Sequence, residues 1–243
     1  MIIPISDDDS RRRRFPYVNL LIILVNIAAY IYVYYVVDPA TQVRLLDNYV
    51  VIPLEILQGR DVPPPGPHPL WITLFTAMFL HANLLHIAGN MLFLFIFGDN
   101  VEDAFGHIGY LIFYLFCGLV ASLVQVSVVE MFQGPSGLVA GELGASGAIA
   151  GVLGAYIVLF PHARIRTLIG FGILFFTRLS AGLVIGLWFL LQFIPGLVSI
   201  HSIGGVAYFA HVGGFVAGVV LALLFRPRRP RPLPPPSYPT YVP

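Results

Sequence analysis

Ser146 and His211 are the residues of this chain whose type and setting could do covalent chemistry. Ser146 sits in Gly141-Glu142-Leu143-Gly144-Ala145-Ser146-Gly147-Ala148-Ile149-Ala150-Gly151, which opens an apolar run ending at Phe160. His211 sits in Ala210-His211-Val212-Gly213-Gly214, inside another apolar run. A hydroxyl in such a run more often bonds its own helix or admits a neighbouring one. An imidazole there is expensive and therefore points to function. Serine is a poor nucleophile until a base takes its proton, and imidazole has a suitable pKa for that task. Nothing acidic is placed to orient His211, so the expectation is a Ser–His dyad and not a triad. His86 and Asn90 are four residues apart and share one helix face. Together with the Ser146 N–H they could donate to a tetrahedral oxyanion.

These residues need a membrane scaffold. The 243-residue chain is 58% hydrophobic and 10% charged, with a mean hydropathy of +0.85, which is not the composition of a soluble globular protein. Apolar runs mark six crossings: Tyr17 to Val37, about Leu84 to Phe97, Ile108 to Val129, Ser146 to Phe160, Leu179 to Ile194, and Ile203 to Phe225. An acidic turn, Gly98 to Asp103, follows the second, and Pro195-Gly196 stops the fifth. The expectation is an all-α, six-helix bundle over residues 17–225, between a polar segment 1–16 and an Arg/Pro-rich tail 226–243. The stretch Thr167 to Thr177 is too short to span and is expected to be interfacial or re-entrant. Leu45 to Leu57 and Trp71 to Leu80 belong in the membrane interface.

Every basic residue is arginine. Arg11–Arg14, the arginines between 161 and 178, and those of the tail fall on one side of a six-crossing topology, against Arg44 and Arg60 on the other. That bias places both termini in the cytoplasm. Helices two, four and six then run inward from the outer face. His211 is expected about eight residues into the sixth, roughly 12 Å down at 1.5 Å per residue. It meets Ser146 if Leu143-Gly144 dips below the surface into a wet cavity. Gly147 and Gly151 form a small-residue face on the fourth helix, and Gly214 and Gly218 form another on the sixth. Contact between those faces would bring Ser146 to His211.

The absence of lysine excludes a Ser–Lys dyad and a phosphate-binding GxxxxGK[ST] loop. No HExxH pattern and no membrane-embedded pair of aspartates is present, and Ala148 stands where the soluble hydrolase elbow needs glycine. The single cysteine, Cys117, excludes a disulfide framework. Neither a metal, a cofactor nor a nucleic-acid partner is expected.

As a set, His81-x4-His86-x3-Asn90, Gly144-Ala145-Ser146-Gly147 and Ala210-His211-Val212-Gly213-Gly214-x3-Gly218 resemble the motifs of rhomboid intramembrane serine proteases. The resemblance covers about Tyr17 to Phe225. It implies that Ser146 is the nucleophile, His211 the general base, and His86 and Asn90 the oxyanion donors. It links His81 to the surroundings of the site, and implies that the helix-six glycines permit tight packing on helix four. Many members carry Trp-Arg in the first loop, whereas here Trp71 precedes Ile72. The expected function is hydrolysis of peptide bonds in or near transmembrane segments of membrane-anchored proteins, within the lipid bilayer. A gate is expected at helix five and the loop before helix six. A non-catalytic rhomboid-like binder of transmembrane segments and a small membrane transporter are the alternatives. A compact chain without a long transit segment points to a prokaryotic plasma membrane, the site opening to the extracytoplasmic side.

Overall fold

The computed structural model describes residues 2–7, 13–63, 65–171 and 173–225. Arg11, Arg12 and the Arg/Pro tail lie outside them. The chain is a mostly helical bundle organised around one buried helix, α8 (Ser146–Leu159), in which Gly147 through Tyr156 are all buried. Its small residues explain that position. Gly147, Ala148, Ala150, Gly151, Gly154 and Ala155 let neighbouring backbones approach closely. Around it stand α5 (Leu84–Phe105), α6 (His107–Phe132), α9 (Ala181–Val198) and α10 (Tyr208–Leu224), with α1 (Tyr17–Ile31) outside α5 and α6. The outward faces carry Leu21, Leu24, Ile112, Phe116, Leu190, Leu191 and Leu223 exposed, the surface expected of helices solvated by lipid. Among the described residues four helices are long and apolar enough to cross a membrane, Tyr17–Val36, α5, α6 and α9; α8 and α10 are shorter apolar helices.

The glycine faces pack as the small-residue pattern predicts, with one difference. A Cβ on Gly214 would lie 2.0 Å from the Gly147 carbonyl oxygen, and one on Gly218 would lie 1.9 Å from that of Gly151. The α10 pair thus meets the α8 backbone directly. Cβ atoms on Gly147 and Gly151 would instead strike Ala121 and Cys117 of α6, at 2.6 and 2.5 Å. The α8 glycines therefore serve α6 as much as α10.

Three boundaries depart from the sequence expectation. The acidic stretch 98–103 is helical, and α5 ends only at Gly106, whose φ is +73°. Its carboxylates have partners: Glu102 is fully buried and accepts from the N–H groups of Val18 and Asn19 at 3.0 and 2.7 Å. It thereby caps the first turn of α1, which has no side-chain cap of its own. On α9, Pro195 lies inside the helix, which continues to Val198. The sixth helix begins at Tyr208, after Gly204 and Gly205 with φ of +75° and +87°.

The segment expected to be interfacial or re-entrant is a β-hairpin. β2 (Arg164–Phe171) and β3 (Ile173–Ser180) pair antiparallel, and β1 (Ile2–Ser6) pairs with β2, giving the order β1-β2-β3. Part of the polar N-terminal segment is therefore a strand, and the helical bundle carries a small sheet. β-branched and aromatic residues suit these strands, and cross-strand bonds satisfy the backbone without a crossing. Ile165 and Thr167 are fully buried beneath it. The sheet lies at the end of the bundle where α8 finishes, about 21 Å from Ser146 along the helix.

The connection from α1 to α5 folds at the Ser146 end. It forms α2 (Pro39–Asn48), α3 (Pro53–Gln58) and α4 (Leu70–Phe79), while the short α7 (Gly134–Leu138) lies between α6 and α8. It also pins the loop before α8. Val51 and Glu142 exchange two backbone hydrogen bonds, each 2.9 Å, and the Gly144 N–H donates to the Ala77 carbonyl at 2.9 Å.

Candidate active site

Ser146 is the first residue of α8, and His211 is the fourth of α10. Because α10 starts later than the hydropathy pattern implies, both residues stand at the same end of their helices. The Ser146 hydroxyl and His211 Nε2 are 2.7 Å apart. His211 is 8% exposed, so this bond is largely shielded from competing water. On the other side of the ring, His211 Nδ1 lies 2.8 Å from Gln192 Oε1 on α9. An amide oxygen only accepts, so the tautomer that satisfies this contact carries its proton on Nδ1 and turns the Nε2 lone pair to the serine hydroxyl. The Trp188 ring packs 5.9 Å from the imidazole.

Gly144 shapes the space in front of Ser146. Its φ of +129° is open to glycine and strained for other residues. A Cβ there would lie 2.9 and 3.0 Å from His86 Cε1 and Nε2, and 3.7 Å from Ser146 Oγ. Glycine thus keeps open the gap between the His86 ring and the serine. The first N–H groups of α8, including that of Ser146, have no intrahelical acceptor. His86 is held at the start of α5, where its backbone N–H donates to the Asn83 side chain at 2.9 Å.

Asn90 faces His81. Its amide nitrogen lies 2.9 Å from His81 Nε2, and the His81 ring meets His86 edge-on at a centroid distance of 5.1 Å. His81 is buried. Burial, reinforced by neighbouring His86, pushes its pKa down to about 4, so it is neutral at pH 7 and accepts from Asn90. Tyr34 fastens this corner by donating to the His81 and Ala82 carbonyls at 3.1 and 2.7 Å.

A small cavity of about 40 Å³ adjoins Ser146, walled by Ala77, Gly118, Ala121, Ala148, Ala210 and Glu142 among others. Glu142 is its acidic member. Burial raises its pKa to about 7, partly offset by the Gln125 amide. Gln125 on α6 also accepts from the Ala210 N–H at 3.1 Å, next to His211. Sequence reasoning passed over Gln125, Glu142 and Gln192. The signal was present, since an amide inside an apolar helix is costly unless it has a partner. Among the described residues no group of three or more His, Cys, Asp or Glu side chains could hold a metal ion.

The family model described as the Rhomboid domain matches residues 68–228. Three Arabidopsis thaliana proteins are similar in sequence. Rhomboid-like protein 11, chloroplastic, is 42% identical over 76 residues, covering 30% of this chain and 27% of the relative. RHOMBOID-like protein 1 is 29% identical over 160 residues, 65% of this chain and 35% of the relative. RHOMBOID-like protein 6, mitochondrial, is 36% identical over 74 residues, 30% of this chain and 24% of the relative. The matched stretches thus span about a quarter to a third of these relatives. Two of their names carry an organelle, so the comparisons give no support to a prokaryotic plasma membrane. The matched region holds the whole constellation from His81 to His211, and the chain is an integral membrane protein that belongs to the rhomboid family.

Proposed function

We propose that this protein is an intramembrane serine endopeptidase that hydrolyses peptide bonds in or near transmembrane segments of membrane-anchored proteins. The observation that carries the reading is the 2.7 Å bond from the Ser146 hydroxyl to His211 Nε2. His211 takes the hydroxyl proton as Ser146 Oγ attacks the scissile carbonyl. The resulting oxyanion is met by the Ser146 N–H and by the His86 side chain across the gap that Gly144 keeps open. Asn90 supports this corner through His81, and in this reading its second amide hydrogen serves the oxyanion. His211 then protonates the leaving amine, and water resolves the acyl-enzyme with His211 again as base.

The substrate segment must be unwound at the cut, because a helical carbonyl is engaged in its own hydrogen bond. The cavity beside Ser146 favours a small residue there. Lateral entry uses α9, which has 22% of its apolar window buried, against 33–50% in the other three long helices. In the topology we propose, six helices cross, the Ser146 end faces the extracytoplasmic side, and the sheet and both termini face the cytoplasm, supported by the arginine bias.

The direct test is covalent labelling of the purified protein with a small fluorophosphonate. An adduct on Ser146, absent from His211→Ala, is expected. A folded wild-type protein that takes no label would remove the nucleophile from the account.

A further inference from the structure

The chain places an amide against the face of His211 that the serine does not use, and the dyad reading leaves it without a role. Gln192 comes from α9, nineteen positions before the histidine, in the run Leu190-Leu191-Gln192-Phe193. An uncharged amide in a membrane helix is costly without a partner. Its oxygen has one in the imidazole Nδ1, at 2.8 Å.

We propose, on the reading of function above, that Gln192 is a positioning residue that holds His211 as the Nδ1–H tautomer and ties the base to the docking of α9. Neutral imidazole has two tautomers, and only the one protonated at Nδ1 can accept the serine proton at Nε2. The Gln192 oxygen favours that tautomer. It also stabilises the imidazolium that forms when Nε2 takes the proton, since a hydrogen bond from a charged donor is the stronger kind. A carboxylate does this work in soluble triads. Here an amide does so without placing a second charge at membrane depth. α9 also packs through apolar rings, Trp188 against His211 and Phe189 against Phe215 of α10 at a ring distance of 4.5 Å. Phe93 of α5 lies 6.2 Å from Trp188. When α9 swings outward, Gln192 leaves His211 and the base loses its fixed tautomer. When α9 returns, the base is set again, so hydrolysis is fastest with the helix docked.

The test uses the full chain in detergent with ¹⁵N-labelled histidine, as wild type, Gln192→Met and Gln192→Glu. Glutamate offers an oxygen to Nδ1–H whether ionised or protonated, whereas methionine keeps the volume and removes the acceptor. The expected spectrum shows His211 of the wild type and the Glu variant protonated at Nδ1, and the Met variant a mixture. On a transmembrane substrate the Met variant is expected to lose between about ten- and a hundredfold in kcat with KM within about twofold, while Glu restores activity. Wild-type His211 protonated at Nε2 would overturn the proposal even if no variant folded. So would a Met variant with wild-type kcat, or one whose kcat falls with the tautomer unchanged. Because the spectrum needs no substrate, a wild type that shows the Nδ1–H tautomer but cleaves nothing would sink the proteolytic reading and leave the Gln192 contact standing.

Discussion

At the scale of single residues, the site depends on what is left out as much as on what is present. Gly144→Ala places a methyl 2.9–3.0 Å from the His86 ring at a backbone angle that penalises any side chain. It is expected to cut kcat at least about a hundredfold while Ser146 stays on α8; an active Gly144→Ala would mean that the gap is not where the oxyanion forms. His81→Leu removes the acceptor of the Asn90 amide, and leaving that buried group unpaired costs about 1–3 kcal/mol, readable as a lower Tm. Glu142 gives a pH signature. Its pKa in the fold, about 7, is above the ordinary 4.5, so the folded chain holds this proton more tightly than the unfolded one. Stability should therefore fall as pH rises from about 4.5 through 7 and level off above. Glu142→Gln should flatten that slope, by an amount on the order of 2–3 kcal/mol between its ends. Equal slopes in both proteins would show that the carboxyl is not buried as described. Ser146, His211, His86 and Gly144 could be read from their types and spacings. Gln192 could not be assigned a partner in the same way, because an amide in an apolar run states only that it needs one.

At the scale of elements, the bundle rests on backbone contact where α10 crosses α8. A methyl on Gly218 would sit 1.9 Å from a carbonyl oxygen, and backbone cannot give way as a flexible side chain can. Gly218→Ala is expected to cost about 3 kcal/mol or more. Gly186→Ala on α9, where a methyl meets nothing within 4 Å, should be neutral or stabilise by up to about 1 kcal/mol. Thermal unfolding of the two variants in one detergent compares them directly, and equal losses would contradict the packing. A cross-link between α9 and α5, with cysteines at Phe93 and Trp188 in a Cys117→Ser background, is expected to block cleavage of transmembrane substrates while fluorophosphonate labelling of Ser146 persists. Undiminished cleavage by the cross-linked protein would remove α9 as the gate. Hydropathy located the helices, but it misjudged ends where polar groups find buried partners. Glu102 read as a turn residue because its role, capping α1 from another helix, is not local. The β2–β3 hairpin was missed because apolar strands of eight residues share their composition with a short membrane segment.

At the scale of the whole molecule, the two ends of the bundle differ in what they carry. Ser146, His211, His86 and the folded first connection occupy one end, and the three-stranded sheet with Arg164, Arg166 and Arg178 occupies the other. Asp7 binds the sheet end to the bundle through the Tyr156 hydroxyl at 2.6 Å and the Asn100 amide at 2.7 Å. The sheet arginines are the ones the positive-inside rule would keep on the cytoplasmic side in the proposed topology. Single cysteines at Arg60 and Phe175, again in a Cys117→Ser background, are expected to react with a membrane-impermeant maleimide from opposite faces of a sealed vesicle. Labelling of both from one face would refute the six-crossing arrangement. Ser146 and His211 are proposed to act together in cleaving peptide bonds of membrane-anchored substrates. The most direct measurement is cleavage of a fluorogenic transmembrane substrate in proteoliposomes by wild type, Ser146→Ala and His211→Ala, each shown to be folded. Cleavage by the wild type, with both variants reduced to background, is the predicted result. Cleavage that survives Ser146→Ala, or a folded wild type inert on a panel of transmembrane substrates, would contradict it.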